Sequence, residues 1–357
     1  MTPPRLAVIV SGFPRRSETF ALAELAALDD RGMLAAVFST KPGEDGPAQP
    51  LVRRLRHRVH RLSGPAEAQA AEAARRLGRA RISGVHAYFA HMPADIASTL
   101  ARALGVPFGF SVHARDARKV DRAELHERAR NAACVVACNA DVAAEFDGSG
   151  ARIDVVPHGV DVRRFTGERR SSGQVLQLLT VGRLVEKKGF HVLLDALATV
   201  DSPWRLRMIG EGPEGDRLAA QARALGIADR VTFCGAVTHD TLPYEYACAD
   251  AVVVPSVRDR SGDRDGLPNV VLEAMASGAA VVATGMGAIA SAIRHRVTGL
   301  LVPAADATAL AAALAEVASS PDGRRTLGTA ARQIALRDFD VRGCTRRFAS
   351  VLGDAYA

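Results

Sequence analysis

The stretch DAVVVPSVRDRSGDRDGLPNVVLEAMASGAAVVAT, residues 250–284, decides the fold of this chain. Two apolar, β-branched runs flank a polar loop and a segment with helical spacing. Pro268 is typical of the first turn of a helix, and Gly278 is typical of the position just after its end. Strand, helix and strand in succession predict one unit of a parallel sheet, with the helix over residues 268–277.

The same alternation of apolar runs and helical segments extends along the whole chain. The strand-like runs fall into two sets, at residues 5–10, 33–39, 85–89, 106–112, 133–137 and 152–157, and at residues 175–182, 205–210, 230–235, 250–256, 279–284 and 299–303. A polar segment rich in Arg and Ser, residues 162–174, separates the two sets. The pattern predicts an α/β protein of two Rossmann-like, doubly wound parallel-sheet domains that face each other across a cleft.

We therefore expect an N-terminal domain over residues 1–165 and a C-terminal domain over residues 166–335. The last segment, 336–357, carries an apolar stripe (Phe339, Val341, Phe348, Val351 and Leu352), which predicts a final helix that crosses back to the N-terminal domain. Ligands of such sheets bind beyond the carboxyl ends of the strands, so the loops that follow the strands should carry the chemistry.

Charge and hydropathy narrow the possible partners. Residues 1–165 hold 24 Lys and Arg against 18 Asp and Glu, so most of the net charge of +7 lies in the first half and indicates an anionic partner there. No apolar run approaches the roughly 20 residues that a membrane-spanning helix needs. The sequence therefore predicts a cytoplasmic protein.

A basic segment, LVRRLRHRVHRL at residues 51–62, has apolar side chains at helical spacing. Leu51, Leu55, Val59 and Leu62 share one face of a predicted helix, against five Arg and two His. Two interpretations stay open: peripheral contact with an anionic membrane on its inner face, or packing as an ordinary surface helix. Nucleic acid is disfavoured as a partner because no aromatic residues interleave with the basic ones.

Two carboxylates lie around the start of the helix in the opening stretch. Asp265 stands in the loop before the helix, and Glu273 stands in its second turn. Free amide groups at a helix N-terminus attract phosphate, and a carboxylate accepts hydrogen bonds from two neighbouring sugar hydroxyls. The arrangement fits a diphosphate with a diol at each end, or else an ordinary βα turn with surface acids.

This segment resembles the retaining glycosyltransferases of GT-B architecture, the glycosyl transferases of group 1 and family 4, which include phosphatidylinositol mannosyltransferases and exopolysaccharide enzymes. Their signature, two Glu separated by seven residues, corresponds here to Asp265 and Glu273, with Asp in the first position. The resemblance implies that Asp265 holds the transferred sugar and Glu273 the nucleotide ribose. It also places Gly266, Leu267 and Pro268 in the donor site, and it implies that residues 166–335 bind the donor and residues 1–165 the acceptor.

A basic turn follows the first predicted strand of the second half. It contains Gly182 and Arg183, and then Lys188. An Arg fork and a Lys ammonium can stabilise the negative charge that develops on a departing diphosphate, although such a turn can also be merely solvated. The family has the same Gly-Arg-Leu and Lys-Gly pair, so the resemblance assigns Arg183 and Lys188 to catalysis and Gly182 to donor binding.

The chain also contains D-x-D, the motif of metal-dependent glycosyltransferases, at Asp263 and Asp265. The paired Rossmann-like halves and the basic turn make this match a coincidence. We therefore expect no metal site and no cofactor, since the nucleotide-sugar is a substrate.

The segment from Gly210 to Gly215 spells G-x-G-x-x-G, the dinucleotide fingerprint. By itself it would indicate an NAD-dependent oxidoreductase. It follows the second predicted strand of its half, however, whereas the fingerprint belongs after the first. The resembling family has Gly-x-Gly-Pro here, so we assign Gly210 and Gly212 to a tight turn beside the donor.

In the first half, His113 follows a predicted strand and should reach the cleft. The stretch from Ser111 to Asp116 resembles the Thr/Ser-x-His-x-x-Asp stretch of the family, which implies that His113 lies beside the reacting sugar. A packed or solvated histidine is the alternative. The loop after the first strand contains Gly12, which allows a ligand to approach the backbone and which we assign to donor binding. Candidates for the acceptor side are His91, Arg15 and Arg16.

The sequence therefore predicts transfer of a sugar from a UDP- or GDP-sugar to a hydroxyl acceptor, which would be a glycolipid, an oligosaccharide or a small molecule. The resemblance implies retention at the anomeric carbon, without a metal. Two other classes remain as alternatives: an NAD-dependent oxidoreductase and a non-catalytic protein that binds nucleotide-sugars.

Overall fold

The computed structural model of the chain describes residues 3–15, 18–44, 50–113, 117, 120–166, 173–238 and 240–357. The chain divides into two compact units: unit 1 comprises Met1–Gly159 and Val341–Ala357, and unit 2 comprises Val160–Asp340. Each unit is built on one parallel sheet, which confirms the predicted pair of doubly wound α/β domains.

The first part of unit 1 alternates strands and helices. Its strands are β1 Leu6–Val10, β2 Leu34–Ser39, β3 Val59–Arg61, β4 Gly84–Tyr88, β5 Phe108–Val112, β6 Val135–Ala137 and β7 Ile153–Val155. Its helices are α1 Thr19–Asp30, α2 Pro50–Leu55, α3 Ala66–Leu77, α4 Met92–Leu104, α5 Arg122–Arg130 and α6 Ala140–Ala143. The sheet order is β3-β2-β1-β4-β5-β6-β7. Ala7 and Ile9 of β1 pack into one apolar core and Leu6 and Val8 into another, because helices cover both faces of the sheet.

Unit 2 repeats this plan. Its strands are β8 Leu176–Val181, β9 Trp204–Ile209, β10 Val231–Phe233, β11 Ala251–Val254, β12 Ala280–Thr284 and β13 Leu300–Val302. Its helices are α7 Phe190–Leu197, α8 Gly215–Ala224, α9 Leu242–Cys248, α10 Asn269–Ser277, α11 Ile289–Ala292, α12 Ala307–Ser319 and α13 Pro321–Asp338. The strand order β10-β9-β8-β11-β12-β13 is that of a dinucleotide-binding Rossmann fold.

The last helix of the chain, α14 Val341–Ala355, belongs to unit 1 and packs against α1. The predicted segment began at residue 336, whereas α14 begins at Val341. Phe339, which the prediction placed on the final helix, lies between α13 and α14 and packs against the core of unit 2. Just beyond α14, Tyr356 fills a slot that a side chain at Gly84 or Gly109 would close. A Cβ added at Gly84 would lie 2.2 Å from Tyr356 Cδ1, and one added at Gly109 would lie 2.6 Å from the Tyr356 hydroxyl oxygen.

The single helix predicted over residues 51–62 is wrong. Helix α2 ends at Leu55, a 3-10 turn covers Arg56–Arg58, and Val59–Arg61 forms the edge strand β3, parallel to β2. Its apolar side chains face inward, since Leu55 and Leu62 are buried, and Arg54 and Arg58 pair with Asp29. The apolar residues of the helix and of the short edge strand that follows it happen to be spaced as on one face of a single amphipathic helix. In the described residues, no helix combines the length and apolarity needed to cross a membrane.

Candidate functional site

The strand order of unit 2 reverses between β8 and β11, which are hydrogen-bonded neighbours. The loops that follow these strands, residues 182–189 and 255–268, therefore leave the same edge of the sheet side by side. A ligand crevice forms at such a switch point in doubly wound sheets. Among the residues that the sequence assigned to the donor or to catalysis, the first loop carries Gly182, Arg183 and Lys188, and the second carries Asp265, Gly266, Leu267 and Pro268.

Lys188 and Asp265 meet across these loops. The Lys188 ammonium donates a hydrogen bond to Asp265 Oδ2 over 2.8 Å, and the Ser256 hydroxyl donates to the same oxygen over 2.9 Å. Lys187 Nζ lies 3.5 Å from Asp265 Oδ1. Burial would raise the pKa of Asp265, but Lys188, Lys187 and Ser256 outweigh it and hold the pKa below its usual range. Asp265 is therefore an anion at neutral pH. Arg183 is exposed on the same turn.

The two acids of the D-x-D match are bridged by a lysine. Lys187 Nζ binds Asp263 Oδ2 over 3.1 Å as well as lying near Asp265. Among the residues that the structure describes, no group of three or more His, Cys, Asp or Glu side chains is placed to hold a metal ion.

The loop after β9 packs closely against the loop after β8. A Cβ at Gly210 would lie 1.9 Å from the Gly182 carbonyl oxygen, and one at Gly212 would lie 2.3 Å from the Leu184 carbonyl oxygen. At Gly215 the nearest atom would be Leu184 Cδ1 at 3.5 Å, an ordinary contact. Only the first two glycines are therefore needed for close approach. Because β9 is the second strand of its sheet, the loop also stands in the wrong place for the dinucleotide fingerprint.

Helix α10 begins after the segment formed by Gly266, Leu267 and Pro268, all of which are half-buried. Pro268 is the N-cap residue, and its side chain makes no capping hydrogen bond to the helix start. Gly287 approaches this segment, because a Cβ there would lie 2.5 Å from the carbonyl oxygen of Asp265. The loop after β12 therefore borders the loop that carries Asp265.

Glu273, in α10, is buried against α9. It accepts a hydrogen bond from the Tyr246 hydroxyl over 2.7 Å. Burial raises the pKa of Glu273, and the Tyr246 hydroxyl and Arg164 offset only part of this increase. Among the described contacts, none joins Glu273 directly to Asp265, so the two acids occupy separate surroundings.

In unit 1, His113 follows β5 and is half-buried among aromatic rings. Its ring centroid lies 4.8 Å from that of Phe20, 4.9 Å from Phe89 and 5.1 Å from His158. Burial, and after it the charges of His158 and His86, lower the pKa of His113 well below its usual range. His113 is therefore neutral at neutral pH, with one ring nitrogen that donates and one that accepts. Phe89 has a φ of 89°, which is rare for a bulky residue and concentrates at functional sites.

A buried carboxylate stands behind these rings. Glu24 of α1 accepts a hydrogen bond from the Tyr88 hydroxyl over 2.8 Å and lies 3.2 Å from His158 Nδ1. The His158 ring stacks on Phe20, with centroids 3.9 Å apart and planes inclined by 21°, and on His113 with planes inclined by 18°.

The other acceptor-side candidates have different surroundings. His91 is the N-cap residue of α4 and stacks on Phe89, with centroids 5.7 Å apart, so it shares a ring with His113. Arg15 Nε lies 3.1 Å from Glu44 Oε1. At Gly12, which the sequence assigned to donor binding, an added Cβ would lie 3.0 Å from the Pro42 carbonyl oxygen. Arg16 and the acidic end of the His113 motif, Asp116, lie outside the described residues.

Sequence reasoning did not assign functions to Glu24, His158, Tyr246 or Ser256. One of them left a signal: Glu24 lies on a helix whose neighbouring positions Leu25 and Leu28 are buried. An acid at a buried helix position needs a hydrogen-bonding partner, and that need could have been noted in advance. The identity of the partners could not, because they come from distant parts of the chain.

Two family models match the chain in succession. Residues 17–164 match Glycosyltransferase Family 4, and residues 164–334 match Glycosyl transferases group 1. The two matches meet close to the division between unit 1 and unit 2.

Curated relatives resemble part of the chain. WcaL of Salmonella typhimurium, provisionally assigned as a colanic acid biosynthesis glycosyltransferase, is 34% identical over 206 residues, which are 56% of this chain and 51% of WcaL. The GDP-mannose-dependent alpha-(1-6)-phosphatidylinositol monomannoside mannosyltransferase of Mycobacterium tuberculosis is 34% identical over 200 residues, 52% of each chain. This chain thus spans about half the length of the curated relatives it matches.

A solved structure resembles nearly the whole chain. Anabaena HepE in complex with UDP has a TM-score of 0.81 at 20% identity and covers 98% of this chain and 100% of its own. The HepE complex with UDP-glucose has a TM-score of 0.79 at 21% identity, covering 98% and 99%. At this identity the likeness shows the fold alone, and that fold is GT-B.

Proposed function

Because this chain belongs to the glycosyltransferases of group 1 and family 4, we propose that it transfers a sugar from a UDP- or GDP-sugar to an acceptor hydroxyl with retention of anomeric configuration. The observation that carries the proposal is the contact between Lys188 and Asp265 at the switch point of unit 2. It joins a cation suited to a diphosphate with an anion suited to sugar hydroxyls.

Lys188 and Asp265 change hydrogen-bonding partners when the donor binds. In the free protein the Lys188 ammonium and the Asp265 carboxylate neutralise each other while both are largely buried. A donor diphosphate offers Lys188 a new anionic partner, which Arg183 on the same turn also binds. Asp265 is then released to accept hydrogen bonds from the sugar, while the start of α10, where Pro268 provides no side-chain cap, attracts phosphate.

The Glu273 carboxylate serves the other end of the donor. Tyr246 binds one of its oxygens, which orients the group and leaves the second oxygen for ribose hydroxyls. Gly182, Gly210 and Gly212 keep the two neighbouring loops close enough together to form the floor of the site.

The chemical step needs no separate strong base. The bond from the anomeric carbon to the diphosphate oxygen breaks, and a bond from the acceptor oxygen forms on the same face of the sugar. The acceptor proton passes to the departing phosphate oxygen, whose charge Lys188 and Arg183 stabilise. His113, which is neutral, hydrogen-bonds the reacting sugar without adding a charge. We propose that this step is metal-independent.

Two features bear on the acceptor. The relatives named for colanic acid and for a phosphatidylinositol mannoside support a polysaccharide or glycolipid pathway, and a glycosylated small molecule has the same hydroxyl chemistry. Any peripheral membrane contact through residues 51–62 would use exposed Arg side chains such as Arg56 and Arg61, since the apolar ones face the core.

The test begins with ligand binding. UDP, GDP, their sugar conjugates and NAD are compared by thermal shift, because a ligand of the native state raises its melting temperature. We expect a nucleoside diphosphate and its sugar to stabilise the protein and NAD to have no effect. Stabilisation by NAD alone would support an oxidoreductase instead.

Turnover then separates an enzyme from a sensor. The stabilising donor is incubated with hydroxyl acceptors, with and without excess chelator, and the product linkage is determined by NMR. Transfer with retention in both samples is the expected result. Loss of transfer with chelator would contradict metal independence, and binding without any transfer or donor hydrolysis would indicate a sensor.

A further inference from the structure

Glu24 is a carboxylate that the proposed chemistry does not use. It is 6% exposed, on α1, and its two oxygens face two different partners, the Tyr88 hydroxyl and the His158 ring. A buried carboxylate is retained only where donors compensate its desolvation. The Tyr88 hydroxyl donates a hydrogen bond to one oxygen of Glu24, and His158 Nδ1 contacts the other.

This contact fixes how His158 is protonated and oriented. A carboxylate only accepts hydrogen bonds when ionised, so Nδ1 of His158 must carry the proton that lies between them. A second interaction that orients a functional imidazole is a recurrent device in proteins. With Nδ1 bound and one face against Phe20, His158 retains little rotational freedom.

The fixed ring of His158 forms one wall around His113. The two imidazoles stack with centroids 5.1 Å apart, and Phe20 touches both. The position of the His113 ring therefore depends on the position of the His158 ring.

We propose that Glu24 and His158 form a carboxylate and imidazole pair that positions His113 for sugar transfer. The inference rests on the proposed function, in which His113 lies beside the reacting sugar. His158 acts through its stack on His113, and Glu24 acts through its hydrogen bond to His158. Both are positioning residues, one step and two steps removed from the substrate.

Three variants test the pair by kinetics. Glu24→Gln keeps the shape and one acceptor oxygen but removes the charge, and His158→Phe keeps a stacking ring but removes the imidazole. Tyr88→Phe is the matched control, since it removes the other hydrogen bond to Glu24 and keeps the ring. All are assayed with the donor that the wild type uses, for melting temperature, UDP or GDP affinity and single-turnover rate.

We expect Glu24→Gln and His158→Phe each to lower the single-turnover rate at saturating donor by about 10-fold to 100-fold, as for other groups that orient a functional histidine. Nucleotide affinity should stay within a few-fold. The double variant should be no slower than the slower single variant, because both changes break one chain of contacts. A comparable loss in Tyr88→Phe, or rates near wild type in the two test variants, would overturn the proposal.

A second readout does not depend on turnover. The histidine side chains are labelled with ¹⁵N, and the His113 and His158 resonances are assigned from the His113→Gln and His158→Phe variants. We expect Glu24→Gln to change the ¹⁵N chemical shifts of both rings, because the hydrogen bond at His158 Nδ1 is altered and the two rings stack, and we expect Tyr88→Phe to leave both as in the wild type. Unchanged His113 chemical shifts in Glu24→Gln overturn the pair. If the wild type transfers no sugar, the proposed function fails, and these chemical shifts still decide whether the pair exists.

Discussion

At the scale of single residues, the exchange of partners by Lys188 makes its removal costly in two ways. Lys188→Ala takes away a donor to the departing diphosphate and leaves Asp265 with Lys187 and Ser256 alone. We expect the chemical step to lose about 2–4 kcal/mol of transition-state stabilisation, as for loss of other electrostatic donors. Single-turnover rates at saturating donor measure this loss.

Lys187→Ala is the matched control for Lys188→Ala. Its ammonium divides its contacts between Asp263 and Asp265 and lies farther from Asp265, at 3.5 Å. We expect its effect on the chemical step to be clearly smaller. Equal losses in the two variants, or a near-normal rate in Lys188→Ala, would remove the specific catalytic assignment of Lys188.

Glu273→Gln should stabilise the protein at neutral pH and weaken its binding of UDP or GDP. Burial raises the pKa of Glu273 in the folded protein above the unfolded value near 4.5. The Glu273 carboxyl therefore adds to the free energy of unfolding below pH 4.5, and this contribution is lost as the pH rises through the folded pKa. Gln keeps an acceptor for Tyr246 without the buried charge. The gain in melting temperature should therefore be present at pH 7 and fade near pH 4.

The companion variant Asp265→Asn should behave in the opposite way. Its carboxylate is stabilised by lysines, so its removal should not stabilise the fold at pH 7, and it should weaken intact donor without weakening the nucleoside diphosphate. Melting curves at both pH values and calorimetry with UDP or GDP check the pair of variants. Equal losses of nucleoside diphosphate affinity would contradict the assignment of the two acids to different ends of the donor.

Sequence reasoning located these residues but not their contacts. His113, Lys188 and Asp265 could be found because each follows a strand that is recognisable from its apolar residues. The contact of Glu273 with Tyr246 could not be found, because it depends on how α9 packs on α10. Side-chain pairing across loops is a property of tertiary packing, which no local pattern encodes.

At the scale of elements, β3 shows where local patterns fail. Strands such as β1 and β12 are buried along their whole length, so their apolar composition alone marks them. β3 is three residues long, lies at a sheet edge and contains no fully buried residue. Its pairing with β2, rather than its composition, makes it a strand.

The two neighbouring loops of unit 2 yield a prediction at this scale. Gly212→Ala would drive a Cβ to within 2.3 Å of the Leu184 carbonyl oxygen, so the loops after β8 and β9 must separate. We expect a loss of stability of about 1–3 kcal/mol, typical of overpacking, together with weaker binding of UDP or GDP. Denaturant titration and calorimetry measure the two effects.

Gly215→Ala serves as the control for Gly212→Ala. The new methyl group would meet Leu184 Cδ1 at an ordinary 3.5 Å, at the first residue of α8, where Ala favours the helix. Stability and nucleotide affinity should stay near wild type. If Gly215→Ala were the more damaging change, the dinucleotide interpretation of this loop would regain support.

At the scale of the whole molecule, the two units should differ in their response to acid. Burial lowers the pKa of His86 to about 3 and that of His113 well below its usual range, and both lie in unit 1. A lowered histidine pKa gives stability that is present above the unfolded value near 6.5 and is lost as pH falls toward the folded one, at up to about 1.4 kcal/mol per pH unit for each group.

The described groups of unit 2 should cause a smaller loss of stability than those of unit 1 as the pH falls from about 7 to about 5. His191 shifts in the same direction but is half-buried, and Asp265, with its lowered pKa, contributes a loss only below about 3.8. Trp204 in β9 is the single tryptophan, so its fluorescence reports unit 2. Between pH 7 and pH 5, the urea transition seen by circular dichroism should shift more than the one seen by fluorescence. Equal shifts would contradict the assignment of acid sensitivity to unit 1.

The slot that Tyr356 fills determines which of the two units can be completed first during synthesis. Unit 2 is encoded without interruption, and its two ends lie together, since the Val160 amide donates to the Phe339 carbonyl oxygen over 2.8 Å. Unit 1 is encoded in two pieces, and the slot beside Gly84 and Gly109 stays open until the residues after α14 leave the ribosome. The half of the molecule that is translated first is therefore the half that is completed last.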